Sequence, residues 1–391
     1  MPSTQIPSGE RSDPRSIAAA CGTLFSRLTQ PKLSALKRGE FAPPPRKHLI
    51  GPPGAASVDT PVVLQDFASQ QLHKGIQRRS LTVCGSAPNN QIADGFLTPG
   101  PAPTEKGSDL IFIGTGTSEG VPRVSCLTDP ERQCQICSDA ARPGSRNRRR
   151  NTSLMIRYEH PDGRRRNILI DAGKFFYHSA LQWFPQLGIR QLDALVITHS
   201  HADAIGGLDD LRDWTNNIQD KVPIYVAPRD LEVMGRTHYY LVDPSVITKG
   251  TAVSTLDFKI MPETPFSVQG LQITPLPVWH GKGYKSLGFR FGNICYISDV
   301  SKIPEETYPL LQNCDLLILD ALRPDGGSST HFTLPESLDE VRKIRPRRTL
   351  FTGMMHNMDH DEINKQLALL RESEGIVAEL SYDGMRIPIS L

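Results

Sequence analysis

Apolar residues in this chain fall into short runs separated by polar and Gly-containing stretches. From Asp109 onward, residues 110–113, 154–158, 168–170, 192–198, 222–227, 287–291, 293–297 and 316–319 read as strands, because each run is brief and rich in aliphatic or aromatic residues. Between them, residues 208–217, 229–236, 335–345 and 361–372 read as helices. Pro335 suits the first turn of its helix, where a missing N–H removes no helical bond. Interleaved strands and helices predict a layered α/β domain over residues 108–391. Before that, Pro43-Pro44-Pro45, Gly51-Pro52-Pro53-Gly54 and Pro99-Gly100-Pro101 interrupt any periodicity, so residues 1–107 read as a disordered extension.

Several strand-like runs end in residues with chemistry. Residues 194–197 lead into Thr198-His199-Ser200-His201-Ala202-Asp203. His199, His201 and Asp203 occupy alternate positions and can converge on one side. Imidazole and carboxylate are the donors a borderline metal such as zinc takes. His280 follows the apolar run 271–276, Asp299 ends the run 294–297, and His356 and His360 follow residues 349–352.

This ordered set resembles the metallo-β-lactamase superfamily over about residues 108–391. The resemblance implies an αββα sandwich of two packed mixed sheets with helices on the outer faces, and a metal centre along one edge. The loop Gly114-Thr115-Gly116-Thr117-Ser118-Glu119-Gly120, the cysteines Cys126, Cys134 and Cys137, and the segment Arg146 to Ser153 then resemble its phosphodiesterase branch. There the chain is similar to the phosphonate-pathway enzymes that open ribosyl cyclic phosphate (PhnP-like) and to their eukaryotic relatives. A Gly-rich loop at a strand end can bring backbone N–H groups to an anion, or can be a plain turn.

The resemblance assigns Cys126, Cys134, Cys137 and His356 to a structural zinc, and Cys134-x-x-Cys137 is a good knuckle in its own right. It assigns His199, His201 and His280 to a catalytic metal, with Asp299 as fourth ligand or hydrogen-bonding neighbour. The family's second catalytic metal would need a His where this chain has Ala204, and another where it has Gly353. Both departures fall on one metal, so the expectation is one catalytic and one structural Zn2+, with Mn2+ or Fe2+ as alternatives at the catalytic position. A second site rebuilt with His356 or His360 is the competing arrangement.

Such a metal lowers the pKa of bound water toward ~7 and supplies hydroxide. Asp203 would orient it or take its proton, and His331 resembles a family His that protonates the leaving group. Arg148 and Arg149 either hold a phosphate or form a solvated charge run. Asp171 reads as a supporting carboxylate.

The expected function is therefore a metal-dependent hydrolase, a phosphodiesterase acting on a small cyclic or nucleotide-type substrate. The alternatives are a tRNA 3′-processing type of endonuclease and a non-catalytic metal-binding scaffold. A net charge of +2 and the lack of a basic arm in residues 220–271 argue against a stable nucleic-acid partner. No apolar run approaches the ~20 residues of a membrane span. Seven clustered Cys, an odd number, fit a reducing compartment better than a disulfide framework. The expected location is cytoplasmic. The alternative is mitochondrial, because residues 14–39 lack acids but carry Arg15, Arg27, Lys32, Lys37 and Arg38. A homodimer is compatible with this reading.

Overall fold

The structure is a computed structural model and describes residues 107–391. The extension expected over residues 1–107, with its targeting segment, lies outside the described residues up to position 106.

In chain order the strands are β1 (Ser108–Gly114), β2 (Ser153–Glu159), β3 (Arg165–Ile170), β4 (Ala194–Val196), β5 (Val222–Val226), β6 (Leu256–Ile260), β7 (Phe266–Val268), β8 (Leu271–Trp279), β9 (Lys285–Phe291), β10 (Ile294–Ile297), β11 (Leu316–Asp320), β12 (Arg348–Thr352), β13 (Ala378–Leu380) and β14 (Arg386–Ile389). The helices are α1 (Val124–Thr128), α2 (Gln135–Ala140), α3 (Phe176–Leu187), α4 (Ala202–Ile205), α5 (Leu211–Asn217), α6 (Pro228–Thr237), α7 (Tyr239–Val242), α8 (Leu334–Ile344) and α9 (His360–Ser373).

Two seven-stranded mixed sheets result, in the orders β14-β1-β2-β3-β4-β5-β6 and β13-β12-β11-β10-β9-β8-β7. Strand alternation explains how they pack. Leu110, Phe112, Ile156 and Ile168 of the first sheet meet Ile273, Phe289 and Ile318 of the second in one buried core. Their neighbours Ile111, Ile113, Met155 and Leu169 point the other way, under α3, α5 and α6. On the second sheet Leu317 and Leu319 turn outward beneath α8 and α9. The central strands thus read apolar on both faces, as a sheet covered on both sides requires. The expected αββα sandwich is what the chain forms.

The helix expected over 208–217 starts three residues late, as α5 at Leu211, and a separate short turn, α4, follows His201 directly. The gap between the two has a packing cause. Ala172 N donates to Ala204 O and Gly207 N donates to Ala172 O, both at 2.8 Å, stitching this loop onto the Asp171-Ala172-Gly173 loop. A Cβ at Gly173 would overlap the Asp203 carbonyl, so only glycine permits this approach. Among the described residues no helix is long and apolar enough to cross a membrane.

Candidate active site

Parallel register gathers the site. Strand β3 pairs in parallel with β4, so Asp171 and Thr198 emerge side by side. Strands β10, β11 and β12 are mutually parallel, with Ile297 opposite Leu319 and Asp320 opposite Thr352. Asp299, Asp320 and Gly353 therefore sit at or just beyond adjacent C-terminal strand ends. Strand β8 is antiparallel to β9, which is antiparallel to β10, so His280 leaves its strand at the same edge. Leu287 N donates to Thr198 O at 3.0 Å and ties the two sheets together there.

His199, His201 and His280 bring one nitrogen each to within 4.8 Å of the others. His199 Nδ1–H donates to Thr198 Oγ1 (2.8 Å), which donates to Asp171 Oδ2 (2.7 Å). His280 Nδ1–H donates to Thr330 O at 2.7 Å. These bonds fix the tautomers, so both rings turn an Nε2 lone pair toward the centre. His199 Nε2 is buried with no hydrogen-bond partner. His280 Nε2 lies 3.3 Å from His201 Nδ1. A tetrahedral centre with Zn–N of about 2.05 Å requires N···N edges of about 3.3 Å, so the donors fit a divalent metal. Burial, reinforced by the neighbouring imidazoles, holds His199 down at about 3, and the neutral ring is the form that ligates.

A second trio, His280, Asp299 and His331, meets the same distance limit. Thr330 O takes His280 Nδ1, so both trios look onto one Nε2 and describe one centre. Burial opposes charge on Asp299, yet the imidazoles of His199, His331 and His280 hold its carboxyl down at about 2. Asp203 is pushed up to about 6, by burial first and then by Asp299. Asp203, Asp299, His199 and His331 line one small cavity with Thr117 and Gly353.

His331 Nδ1 lies 2.7 Å from Asp320 Oδ2, which also accepts from Val300 N at 3.3 Å. Burial disfavours charge on His331, but Asp320 outweighs it and lifts the imidazole to about 9. Burial raises Asp320 in turn, to about 7, against the pull of His331. The other oxygen, Asp320 Oδ1, is buried without a partner and occupies the place a Cβ at Gly353 would take. Gly353 has φ +74°, in the left-handed region. Ala204 is buried against the outer core. Neither position projects a ligand.

The Cys set closes into a four-cornered group. The sulfurs of Cys126, Cys134 and Cys137 lie 3.5, 3.4 and 3.6 Å from His356 Nδ1. Zn–S of about 2.3 Å and Zn–N of about 2.05 Å give tetrahedral S···N edges of about 3.6 Å, so the set fits zinc. His356 Nε2 faces Arg123 Nη1 at 2.9 Å. A metal on Nδ1 would leave Nε2 protonated, so Arg123 Nη1, itself a donor, would have to move off it while Nη2 keeps its ion pair with Glu119. His356 belongs to this group, and His360 packs its ring against Tyr382 and contacts Asn364. Neither joins the His199 centre, so the rebuilt second site does not form.

Two further expectations need correction. Arg149 is buried and donates to Met355 O and Met358 O, so it braces the loop that carries His356 and cannot reach a substrate. Arg148 directs Nε and Nη2 to Ala140 O and Ala141 O, at the end of α2. The Gly-rich loop does not cradle an anion with the N–H groups of Gly116, Thr117 or Gly120, which donate to Arg150 O, Met354 O and Thr117 O. Its glycine at 116 serves close approach, since a Cβ there would strike Arg149.

Sequence reasoning missed Asp320, Tyr284 and Asp230. The Tyr284 ring stacks on His201 at 4.9 Å, and its hydroxyl lies 3.2 Å from Ser200 Oγ and 3.3 Å from Asp230 Oδ1. Asp320 at least carried a signal, an acid closing an apolar run.

Comparison with known proteins agrees with this geometry. A model of the β-lactamase superfamily domain matches residues 166–354. A crystallised diphosphatase of the PhnP family is 32% identical, covering 73% of this chain and 98% of that one, with a TM-score of 0.60. An octanoyltransferase of Porphyromonas gingivalis is 32% identical over 282 residues, 71% of this chain, and the chain spans about half (52%) of its length. The Zn2+-bound PqqB of Methylobacterium extorquens, 19% identical, covers 72% of this chain and 100% of its own, with a TM-score of 0.54, and shares the fold.

Proposed function

Because this chain belongs to the PhnP family of the β-lactamase superfamily of metal-dependent hydrolases, we propose that it cleaves a phosphodiester bond in a small cyclic or nucleotide-type substrate, using a single catalytic metal. The observation that carries this reading is His331, held protonated by Asp320 and facing the three-histidine centre across His280, at 4.8 Å between ring centroids.

His199, His201 and His280 would hold the metal, zinc by preference and manganese or iron as alternatives, with Asp299 as fourth ligand or as a hydrogen-bond acceptor beside it. When bound there, the metal supplies Lewis acidity toward a phosphoryl oxygen and toward water. Asp203, raised toward neutrality, orients the attacking water and accepts its proton. An alkoxide leaving group is a poor one, and His331 Nε2 delivers the proton it needs. Asp320 keeps that ring oriented and charged until the transfer. Cys126, Cys134, Cys137 and His356 would hold a structural zinc that ties the knuckle to the end of β12.

The test is hydrolysis of bis(4-nitrophenyl) phosphate by the full chain loaded with Zn2+ or Mn2+, beside 4-nitrophenyl acetate as an acyl control. The reading predicts turnover of the diester and a loss of at least about a hundredfold in His199→Ala. Equal activity in that variant would overturn the metal-centred mechanism. Bound metal without turnover of any diester would favour the scaffold.

A further inference from the structure

His199 and His280 are each locked by a hydrogen bond at Nδ1, to Thr198 Oγ1 and to Thr330 O, which leaves Nε2 to face the centre. His201 cannot be held in that way. Its Nδ1 is itself the atom that faces the centre, 3.3 Å from His280 Nε2, and its ring is exposed to solvent. We propose that Tyr284 is the positioning residue for His201, and that Asp230 on α6 holds Tyr284 in place. The inference rests on the reading of His199, His201 and His280 as metal ligands and is independent of the substrate.

Tyr284 touches every segment that carries one of these histidines. Its ring lies nearly parallel to that of His201, with 4.9 Å between centroids and 16° between planes. The rings of His199 and His280 meet His201 at 81° and 60°, so neither supports it face to face. The Tyr284 hydroxyl accepts from the backbone N–H of Ser200, the residue between His199 and His201, at 3.3 Å. The Tyr284 carbonyl accepts from His280 N at 2.9 Å. That bond closes a short loop in which Gly281 and Gly283 have φ of +89° and +75°, values that glycine adopts without strain. The loop returns the chain from β8 to β9 and sets Tyr284 against the histidines. One residue of this hairpin thus grips the 199–201 segment of the other sheet.

Asp230 fixes the far end of the ring. A phenol has one proton and two lone pairs. The Tyr284 hydroxyl donates that proton to Asp230 Oδ1 at 3.3 Å, and Ser200 N and Ser200 Oγ approach its lone pairs. Asp230 Oδ2 accepts from Arg229 Nε at 3.2 Å, and Arg229 Cζ lies 5.5 Å from the centre of the Tyr284 ring. Asp230 is buried in the first turn of α6, where the end of the helix favours an anion.

The physical consequence is preorganisation. An exposed imidazole gives up rotamer freedom when it ligates, and a ring already stacked has lost that freedom beforehand. Packing alone would stabilise the fold without favouring the His centre over the Cys set. A positioning role weakens the His centre selectively.

The experiment measures Zn2+ dissociation constants in the full chain by competition with a chromophoric chelator. The two sites are assigned with His199→Ala and with Cys134→Ser, Cys137→Ser. Tyr284→Ala is expected to weaken the His centre about tenfold or more and to leave the Cys set within about twofold of wild type. Tyr284→Phe keeps the stacked ring and should recover part of the loss. An unchanged constant at the His centre in Tyr284→Ala, or equal weakening at both sites, would overturn the proposal. Should Tyr284→Ala fail to fold, Asp230→Ala reads the same chain of contacts: selective weakening of the His centre sustains the proposal, and an unchanged constant overturns it. A wild-type chain that binds zinc at the Cys set alone would defeat the metal reading and this inference with it, whereas a His centre that binds zinc equally in Tyr284→Ala defeats the inference alone.

Discussion

Asp320 holds His331 through a 2.7 Å contact between Oδ2 and Nδ1, and the other oxygen of the same carboxylate fills the space that a side chain at Gly353 would need. One buried acid thus keeps a proton donor charged and closes a position from which a further metal ligand could project.

His331 should matter in proportion to how badly the leaving group needs a proton. His331→Gln is expected to lower kcat by about 10²–10⁴ for an alkyl diester and far less for a nitrophenyl one, whose anion leaves unaided. The imidazole is raised to about 9, so it is protonated below that pH and loses its proton above it. The alkyl-ester rate should fall as pH rises through about 9, and His331→Gln should remove that limb. A limb retained in the variant would assign it to another group.

Gly353→Ala should destabilise the domain by about 1–3 kcal/mol, because a Cβ in the left-handed region also strikes Asp320. Gly353→His should not add a metal. Urea midpoints and metal content per chain check both statements.

The Cys134→Ser, Cys137→Ser variant should lose one metal and much of its stability. A site that binds only the folded chain stabilises by about 4 kcal/mol at a free metal level a thousandfold above its Kd. The wild type should show a chelator-dependent fall in Tm that the variant lacks.

Far from the site, Asp109 receives Arg157 Nε at 2.7 Å and Nη2 at 2.5 Å, with both side chains about 3% exposed. Burial opposes its charge, but Arg157 and Arg386 hold the carboxyl below its ordinary 3.8. The contribution is therefore present above the unfolded value and is lost as pH falls through the lower folded one. Asp109→Ala leaves Arg157 buried without its partner and should cost about 3–5 kcal/mol, read by urea unfolding at pH 7.

The strands around the site were legible because each is a buried apolar run closed by a polar residue. His199, His201, His280, Asp299 and the Cys set were legible because their spacing carries the chemistry. Helix α3 was not. It has no side-chain N-cap to mark its start and carries Pro185 near its end, a residue that reads as a helix breaker. Asp320 and His331 lie eleven residues apart in sequence, and only the order of β10, β11 and β12 shows that they touch. Arg149 misled because a run of three basic residues looks solvated, whereas its bridge to Val121 turns the middle one into the core.

The central claim is one catalytic metal beside one structural metal, and the most direct test is elemental analysis of the full chain purified without added metal and again after zinc loading. The account predicts two metals per chain, falling to one in His199→Ala and to one in Cys134→Ser, Cys137→Ser. Three metals in the loaded wild type, or a count unchanged in His199→Ala, would contradict it.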